Sequence, residues 1–181
     1  ITQDGQGESR GLVQDAINAA DKSIDFSAYD FVTVLVPKDT KTILFSGAMT
    51  GGMGMFTSDE KEFSSAIWIG KNKLSNFNQP GSGWSFYAHE LGHVLGLMHP
   101  YNQRDGGPGA IWDLMGNGGT SVPEMIGWHR FLLGWLNENE VSCLSKETLT
   151  QQQILLSPLN TKSAGTKVVM IPLSNKKSLL I

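Results

Sequence analysis

The distribution of apolar residues along the chain predicts three helices and several short strands. Residues 9–20 carry apolar side chains at helical intervals, and residues 121–136 repeat this pattern. The second segment begins with a Ser-x-x-Glu sequence (121–124) that has the spacing of a capping box. A further helix is predicted over residues 83–95, with Ser82 as its N-cap. The near-continuous β-branched run YDFVTVLVP (29–37) predicts a buried strand.

Shorter apolar runs predict the remaining strands. Two of them are predicted at KTILFSGA (41–48) and SSAIWIG (64–70), and the second is expected at a sheet edge. Residues 50–56 and residues 72–83 are predicted to be loops. From residue 143 onward the pattern changes to short strands separated by turn residues: QILLSPL, TKVVMIPL and KSLLI. We therefore predict a first domain over residues 1–142 and the beginning of a β-rich domain over residues 143–181.

Composition and charge restrict the classes of protein to which the chain can belong. Its 181 residues suffice for one well-buried domain and part of a second. The net charge of −3, with scattered basic residues, argues against a nucleic-acid partner. No apolar run reaches the ~18–20 residues of a membrane span. Cys143 is the only cysteine, so a disulfide within the chain is excluded. The sequence does not determine the oligomeric state.

The stretch HELGHVLGLMHP (89–100) holds three of the chain's four histidines. His89 and His93 are four residues apart on a predicted helix, so their imidazoles project from the same face and can reach one ion. Gly96 comes where the helix is expected to end, because glycine adopts a left-handed C-cap at low cost. The chain can then turn so that His99 supplies a third nitrogen.

Three nitrogen ligands and an open fourth position are typical of a catalytic zinc site. Zinc lowers the pKa of bound water towards ~7, and Glu90, beside His89, is placed to act as general base and then as general acid. These residues predict a zinc-dependent peptidase that hydrolyses peptide bonds through a metal-activated water. The alternative is a catalytically inert, metal-containing adhesion or binding domain derived from a peptidase, against which the intact Glu90 counts.

A methionine downstream extends this pattern. Met115, in the Gly- and Asn-rich stretch GAIWDLMGNGG (109–119), is predicted to form an apolar floor under the imidazoles. The HExxHxxGxxH motif with such a methionine turn resembles the metzincin metallopeptidases. The chain most resembles the immune inhibitor A type, and gametolysin-like peptidases come next. Three sequence segments carry this resemblance: IDFSAYD (24–30), IWDLMG (111–116) and FLLGWL (131–136).

The resemblance implies an α+β fold. In such a fold a mixed, twisted sheet is combined with a backing helix (9–20), the active-site helix (83–95) and a lower subdomain that carries the Met-turn. It also implies a secreted or cell-surface endopeptidase made as a zymogen. Separately, the residues at both ends lead us to expect that the chain is a piece of a longer protein. Protein or peptide substrates are expected to pair with an edge strand, for which residues 64–70 are the candidate.

Further residues near the motif receive more limited predictions. Some metzincins place a tyrosine two residues after the Met-turn methionine; Asn117 occupies that position, which makes Tyr101 the candidate transition-state helper, with loop packing as its alternative role. Asp105 and Asp113 raise the hypothesis of a calcium ion, although their spacing matches no established calcium motif. Asp113 is also predicted to brace the Met-turn. His129 is expected to be a packed or a helix-exposed histidine rather than a metal ligand.

Overall fold

The structure, a computed structural model, describes residues 6–41, 43, 45–50, 55–74, 83–100, 112–116, 124–175 and 177–181. Helices and small sheets are mixed along the chain, so the predicted α+β class is confirmed. The chain divides into two compact units, Ile1–Pro123 and Glu124–Ile181. The assignment of residues 1–142 to a peptidase domain and of 143–181 to a β-rich domain stays a prediction.

The first unit contains most of the secondary structure. Its described elements are α1 (Gln6–Ala20), a 3₁₀ turn (Phe26–Ala28), β1 (Val32–Leu35), β2 (Gly47–Met49), β3 (Phe56–Thr57), β4 (Glu62–Phe63), β5 (Ala66–Ile69), α2 (Lys71–Leu74) and α3 (Gly83–Val94). The helices predicted over residues 9–20 and 83–95 correspond to α1 and α3. The hydrophobic periodicity of residues 9–20 was therefore a reliable guide to α1, whereas Ser82, the N-cap predicted for the second helix, lies outside the described residues.

The strand β5 lies in the middle of a three-stranded sheet with the order β1-β5-β2. It pairs parallel with β1 and antiparallel with β2, and all four of its residues are buried. The prediction of a sheet edge at residues 64–70 is therefore wrong. The run AIWI is apolar at every position, which is typical of a strand covered on both faces. Among the described residues, the strand predicted over residues 41–48 is shifted to Gly47–Met49, and it forms one of the two edges of this sheet.

The helices α1 and α3 pack on opposite faces of this sheet. Val32 and Val34 of β1 pack against the hydrophobic core that α1 shares with the sheet. Thr33 points to the other face because side chains alternate along a strand, and its hydroxyl lies 3.4 Å from the hydroxyl of Tyr87 in α3. The core cluster consists of Val13, Ile17, Phe26, Phe56, Phe63, Ala66 and Trp68.

Three short elements, β3, β4 and α2, were not predicted from the sequence, and two of them overlap segments predicted as loops, at Phe56 of β3 and at residues 72–74 of α2. The strands β3 and β4 form an antiparallel pair in which Phe56 faces Phe63, and both rings are fully buried. The helix α2 includes residues 72–74 of the segment predicted as a loop. Elements of two to four residues are shorter than the windows over which hydrophobic periodicity can be recognised. The strands β3 and β4 depend on the burial of the two phenylalanine rings, and α2 depends on its packing against α3.

The second unit contains one described α-helix and a small sheet. Its elements are α4 (Gly127–Leu132), a 3₁₀ turn (Glu138–Glu140), β6 (Val141–Cys143), β7 (Val168–Ser174) and β8 (Lys177–Leu180), with the strand order β6-β7-β8. The strands predicted in TKVVMIPL and KSLLI are formed as β7 and β8, whereas QILLSPL is not a strand. His129 of α4 is buried, which is the first of the two alternatives expected for it.

The helix predicted over residues 121–136 is shorter in the described part of the chain. It begins after Ile126, whose side chain makes no capping hydrogen bond. Glu124 lies before the helix and forms an ion pair with Arg130, so it is not the third helical residue of a capping box, and Ser121, the predicted cap, lies outside the described residues. Among the described residues, no helix has the length and apolar character required to cross a membrane.

Candidate metal centre

Three imidazoles converge at the C-terminal end of α3. The Nε2 atom of His89 lies 3.2 Å from Nε2 of His93 and 3.3 Å from Nε2 of His99. One ring nitrogen from each of the three residues lies within 4.8 Å of the others. The structure therefore brings together the three histidines that the sequence predicted as metal ligands.

Backbone carbonyls hold two of these rings in orientation. The Nδ1 atom of His89 lies 2.7 Å from the carbonyl oxygen of Leu114, and Nδ1 of His93 lies 2.9 Å from that of Leu97. Because a carbonyl oxygen can only accept, Nδ1 of each ring carries the proton and donates it. In the neutral ring Nε2 is then left with a free lone pair. Hydrogen bonds of this kind orient metal-binding histidines.

The tautomers that these carbonyls select are consistent with a bound cation. Neutral His89 and His93 place two acceptor nitrogens 3.2 Å apart, with no proton on either of them. This arrangement is unfavourable unless a cation lies between the nitrogens or one ring gains a second proton. Neutral imidazole is a preferred ligand of zinc, and three protein nitrogens are the set found in catalytic zinc sites. The donor set therefore fits a zinc ion.

Burial favours the neutral form of the ligands. Desolvation is the main cause that lowers the pKa of His89, and the neighbouring imidazoles of His93 and His99 lower it further. The hydrogen bond to Leu114 and the charge of Asp113 act in the opposite direction. The pKa of His99 is also lowered, first by burial and then by His93. A lowered pKa assists metal binding, which requires unprotonated nitrogens.

A tight turn at the end of α3 returns the chain towards the first two histidines. Gly96 has φ of +88°, in the left-handed region that glycine adopts at low cost. Its N–H donates to the carbonyl of His93 at 3.0 Å, and the N–H of Leu97 donates to that of Gly92 at 2.9 Å. This pair of hydrogen bonds is the Schellman motif. Leu97 is buried beneath the turn, and His99 follows two residues later.

Met115 lies against the same helix. Its side chain is fully buried, and its sulfur packs close to Gly92 of α3. Asp113, also buried, accepts the N–H of Met115 at 2.6 Å, so this carboxylate braces the turn. Leu114, between them, offers its carbonyl to His89. The methionine turn therefore contacts α3 through apolar packing and through the orientation of one imidazole.

Replacement of Gly92 by alanine is expected to destabilise the protein by about 1 kcal/mol. The new methyl group would meet the sulfur of Met115 in a fully buried place, and overpacking of this kind costs about 1–3 kcal/mol. The higher helix propensity of alanine offsets part of that cost. Denaturant unfolding of the zinc-loaded protein measures the effect.

Gly11 of α1 provides the matched control for this substitution. An added methyl group meets nothing within 4 Å there, so Gly11→Ala is expected to stabilise by roughly 0.5–1 kcal/mol. In the Met115→Ala background Gly92→Ala should cost less, because the clashing sulfur is gone. Equal effects of Gly92→Ala and Gly11→Ala would contradict the proposed contact with Met115.

The carboxyl group of Glu90 is buried beside the histidines, with 8% of the residue exposed. Burial raises its pKa from the ordinary 4.5 to about 7, while a hydrogen bond from the backbone of Ala48 and the charge of Lys73 act to lower it. Ala48 belongs to the edge strand β2 and Lys73 to α2. Neither residue was predicted, because no local spacing connects them to Glu90. Tertiary packing alone brings them to the site.

Glu90 should make the metal-free protein less stable as the pH rises from about 4.5 to about 7. The folded state keeps the proton to a higher pH than the unfolded chain, so the unfolded chain binds fewer protons in this window and stability falls. Denaturant unfolding in the presence of a chelator, across this pH range, should show wild type losing stability relative to Glu90→Gln. The lowered pKa of His89 acts in the opposite direction but is common to both proteins. A difference that does not change with pH would contradict the raised pKa.

Several predicted residues lie outside the part of the chain that the structure describes. Tyr101, the candidate transition-state helper, is one of them, as are Asn117 and Asp105. Within the described residues, the three histidines are the only group of three or more side chains with metal-binding potential that lie close together. The calcium hypothesis therefore receives no support from these residues.

Comparison with known families agrees with the geometry of the site. A family model, Reprolysin_3, described as metallo-peptidase family M12B, reprolysin-like, matches residues 2–100. The matched segment covers more than half of the chain and includes Glu90 and all three histidines of the centre. Searches among curated proteins and among solved structures found no match.

Proposed function

Because the chain belongs to the M12B reprolysin-like family of metallopeptidases, we propose that it is a zinc-dependent endopeptidase. Membership of this family implies protein or peptide substrates. The observation that carries the proposal is the convergence of three imidazole nitrogens next to the buried carboxyl of Glu90. Three nitrogen donors can hold one ion, and a carboxyl group beside them can transfer protons.

Glu90 is proposed to accept a proton from the attacking water and to deliver it to the leaving amine. A pKa of about 7 suits a group that both accepts and donates a proton near neutral pH. The backbone of Ala48 and the charge of Lys73 both favour the ionised form. They therefore prepare the carboxyl for its role as a base in spite of its burial.

The three histidines are proposed to hold the metal ion. Bound zinc would supply Lewis acidity that lowers the pKa of water and polarises the scissile carbonyl. The carbonyls of Leu97 and Leu114 hold two of the rings in orientation, so these side chains lose less freedom when they bind an ion. A preorganised donor set of this kind reduces the cost of ordering side chains during binding.

The substrate is proposed to lie extended along the edge strand β2. The candidate proposed from the sequence, residues 64–70, is unsuitable because β5 is paired on both sides. By contrast, β2 forms one of the two edges of the sheet among the described strands, and the backbone of its central residue, Ala48, donates a hydrogen bond to Glu90. A peptide that adds to this edge by strand pairing would therefore run past the general base.

The resemblance to the immune inhibitor A type supports a finer proposal within the family. The phrases IDFSAYD, IWDLMG and FLLGWL carry this likeness. It suggests that the protein acts outside the cell or at the cell surface and is made as a zymogen. Detection of the protein in the extracellular fraction of its source, with an added N-terminal segment in the precursor, would support this proposal.

Cleavage of a diverse peptide mixture tests the peptidase function. The zinc-loaded protein and a chelator-treated sample are incubated with the mixture, and the new termini are identified by mass spectrometry. Internal cuts that appear only in the zinc-loaded sample are expected. Absence of cuts from a sample with one bound zinc per chain would instead favour the inert metal-containing binding domain.

A further inference from the structure

Lys73 of α2 lies beside the first turns of α3, next to the metal centre. Its Nζ atom is 4.5 Å from the centre of the Phe86 ring. That ring is stacked on His89, with centroids 6.4 Å apart and an angle of 18° between the planes. Phe86 precedes Glu90 by four residues on α3, so both side chains project from the same face of the helix. Lys73 therefore lies over an aromatic ring that shares a face of α3 with Glu90, the proposed catalytic group.

The amino group of Lys73 is a cation without an ion-pair partner among the described residues. The described ion pairs within 4 Å involve other lysine and arginine side chains. Lys73 is half-buried, and its charge acts on the buried Glu90. Partial burial reduces the screening by water, so a carboxylate that enters this place is attracted more strongly than at an open surface.

We propose that Lys73 and Phe86 form a subsite that binds a carboxylate of the substrate close to the scissile bond. The proposal rests on the peptidase function above. The amino group would pair with the carboxylate, and the aromatic ring would pack against the methylene groups that carry it. An extended peptide advances ~3.3 Å per residue, so a side chain one or two residues from the scissile bond can reach from His89 to Phe86.

Two sources can supply this carboxylate, namely an Asp or Glu side chain and the C-terminus of a short peptide. Peptides with a free or an amidated C-terminus separate them. A side-chain subsite acts on both forms equally, whereas a terminal-carboxylate subsite requires the free form. A requirement for the free form therefore identifies a terminal-carboxylate subsite, whereas equal action on both forms identifies a side-chain subsite only together with the Glu preference tested next.

Matched peptides with Glu, Gln or Lys at each position around one cleavage site test the subsite. Wild type should cleave the Glu peptide with kcat/KM about tenfold above that of the Gln peptide at one position. Lys73→Met, which retains apolar contact with Phe86, should abolish this preference. Lys73→Glu should reverse it in favour of the Lys peptide. Because each preference is a ratio within one protein, a general loss of activity cancels.

Lys71 provides the matched control on the same helix. Lys71→Ala removes the same charge two residues earlier, where the side chain projects in a different direction, and should leave the Glu preference unchanged. A preference that survives Lys73→Met, or that Lys71→Ala abolishes equally, would overturn the proposal. An equal fall of kcat/KM for all three peptides would also overturn it, because Lys73 would then serve only to position Glu90.

A binding measurement separates failure of the subsite from failure of the peptidase function. Fluorescence anisotropy of labelled Glu and Gln peptides is measured with Glu90→Gln, with and without Lys73→Met. About tenfold weaker binding of the Glu peptide after Lys73→Met supports the subsite even if wild type cleaves nothing. In that case only the peptidase function fails. Equal binding of both peptides to Glu90→Gln would refute the subsite alone.

Discussion

Replacement of Glu90 by glutamine is expected to lower kcat/KM for peptide cleavage by roughly 10²–10⁴-fold and to leave zinc bound. The amide cannot accept a proton from water at neutral pH, but it occupies nearly the same volume as the carboxyl. The three ring nitrogens that form the donor set belong to other residues. Metal content by atomic absorption and cleavage of one defined peptide, measured on the same samples, check both parts of this expectation.

Glu62 provides the control for this substitution. It is an exposed carboxyl on β4, so Glu62→Gln should change neither zinc content nor cleavage. Cleavage by Glu90→Gln at the wild-type rate would refute the assignment of Glu90 as general base. Loss of zinc from the same variant would show that the carboxyl group takes part in metal binding, which the proposed division of roles excludes.

Replacement of His93 by alanine is expected to abolish both zinc binding and cleavage. The nitrogen of His93 lies 3.2 Å from that of His89, and its ring is held by the carbonyl of Leu97. Without it, two imidazoles remain, which is fewer than the three protein ligands typical of a catalytic zinc site. Zinc content per chain after dialysis is therefore expected to fall close to zero.

Thermal unfolding provides an independent measurement of the same loss. A ligand at 100 times its Kd stabilises the folded state by ~2.7 kcal/mol, so chelation should lower the Tm of wild type by roughly 5–10 °C. His93→Ala should show no response to the chelator. His129→Gln, a change at the one histidine outside the group, should still respond. A chelator response in His93→Ala would indicate that the metal is held elsewhere.

These two variants separate binding from chemistry. Glu90→Gln is expected to retain the ion and lose turnover, whereas His93→Ala is expected to lose both. The inert binding domain, the alternative function, predicts a different pattern. In that case wild type and Glu90→Gln would bind zinc equally and cleave nothing. The pair therefore distinguishes the enzyme from a protein that retains only the metal centre.

Much of the metal centre was predicted from local sequence spacing. His89 and His93 are one helical turn apart, so any helix over this segment brings them to one face. Gly96 ends the helix in the left-handed conformation expected there. The convergence of His99 also follows from local geometry, because the Schellman turn returns the chain within three residues. Each of these features depends on residues close together in the chain.

Contacts between distant segments could not be predicted in the same way. The N–H of Ala48 and the charge of Lys73 both act on Glu90, although each lies in a different element of the chain. The carbonyl of Leu114 holds His89 across twenty-five residues. No periodic pattern connects such positions, since the partner is selected by packing of the sheet and helices. The electrostatics of Glu90, the proposed general base, therefore required the tertiary structure.

The strands also separate into features that the local sequence predicts and features that depend on distant segments. The apolar run of β5 predicted a strand but not its neighbours, and its central place in the sheet became clear only from pairing with β1 and β2. A strand's own side chains indicate which of its faces are buried, whereas its position in a sheet depends on hydrogen bonds to other segments. The sequence by itself determined the metal-binding helix and its turn, because their geometry repeats over a few residues. Tertiary structure alone decided which edge lies beside Glu90, because that choice depends on which distant segments pack together.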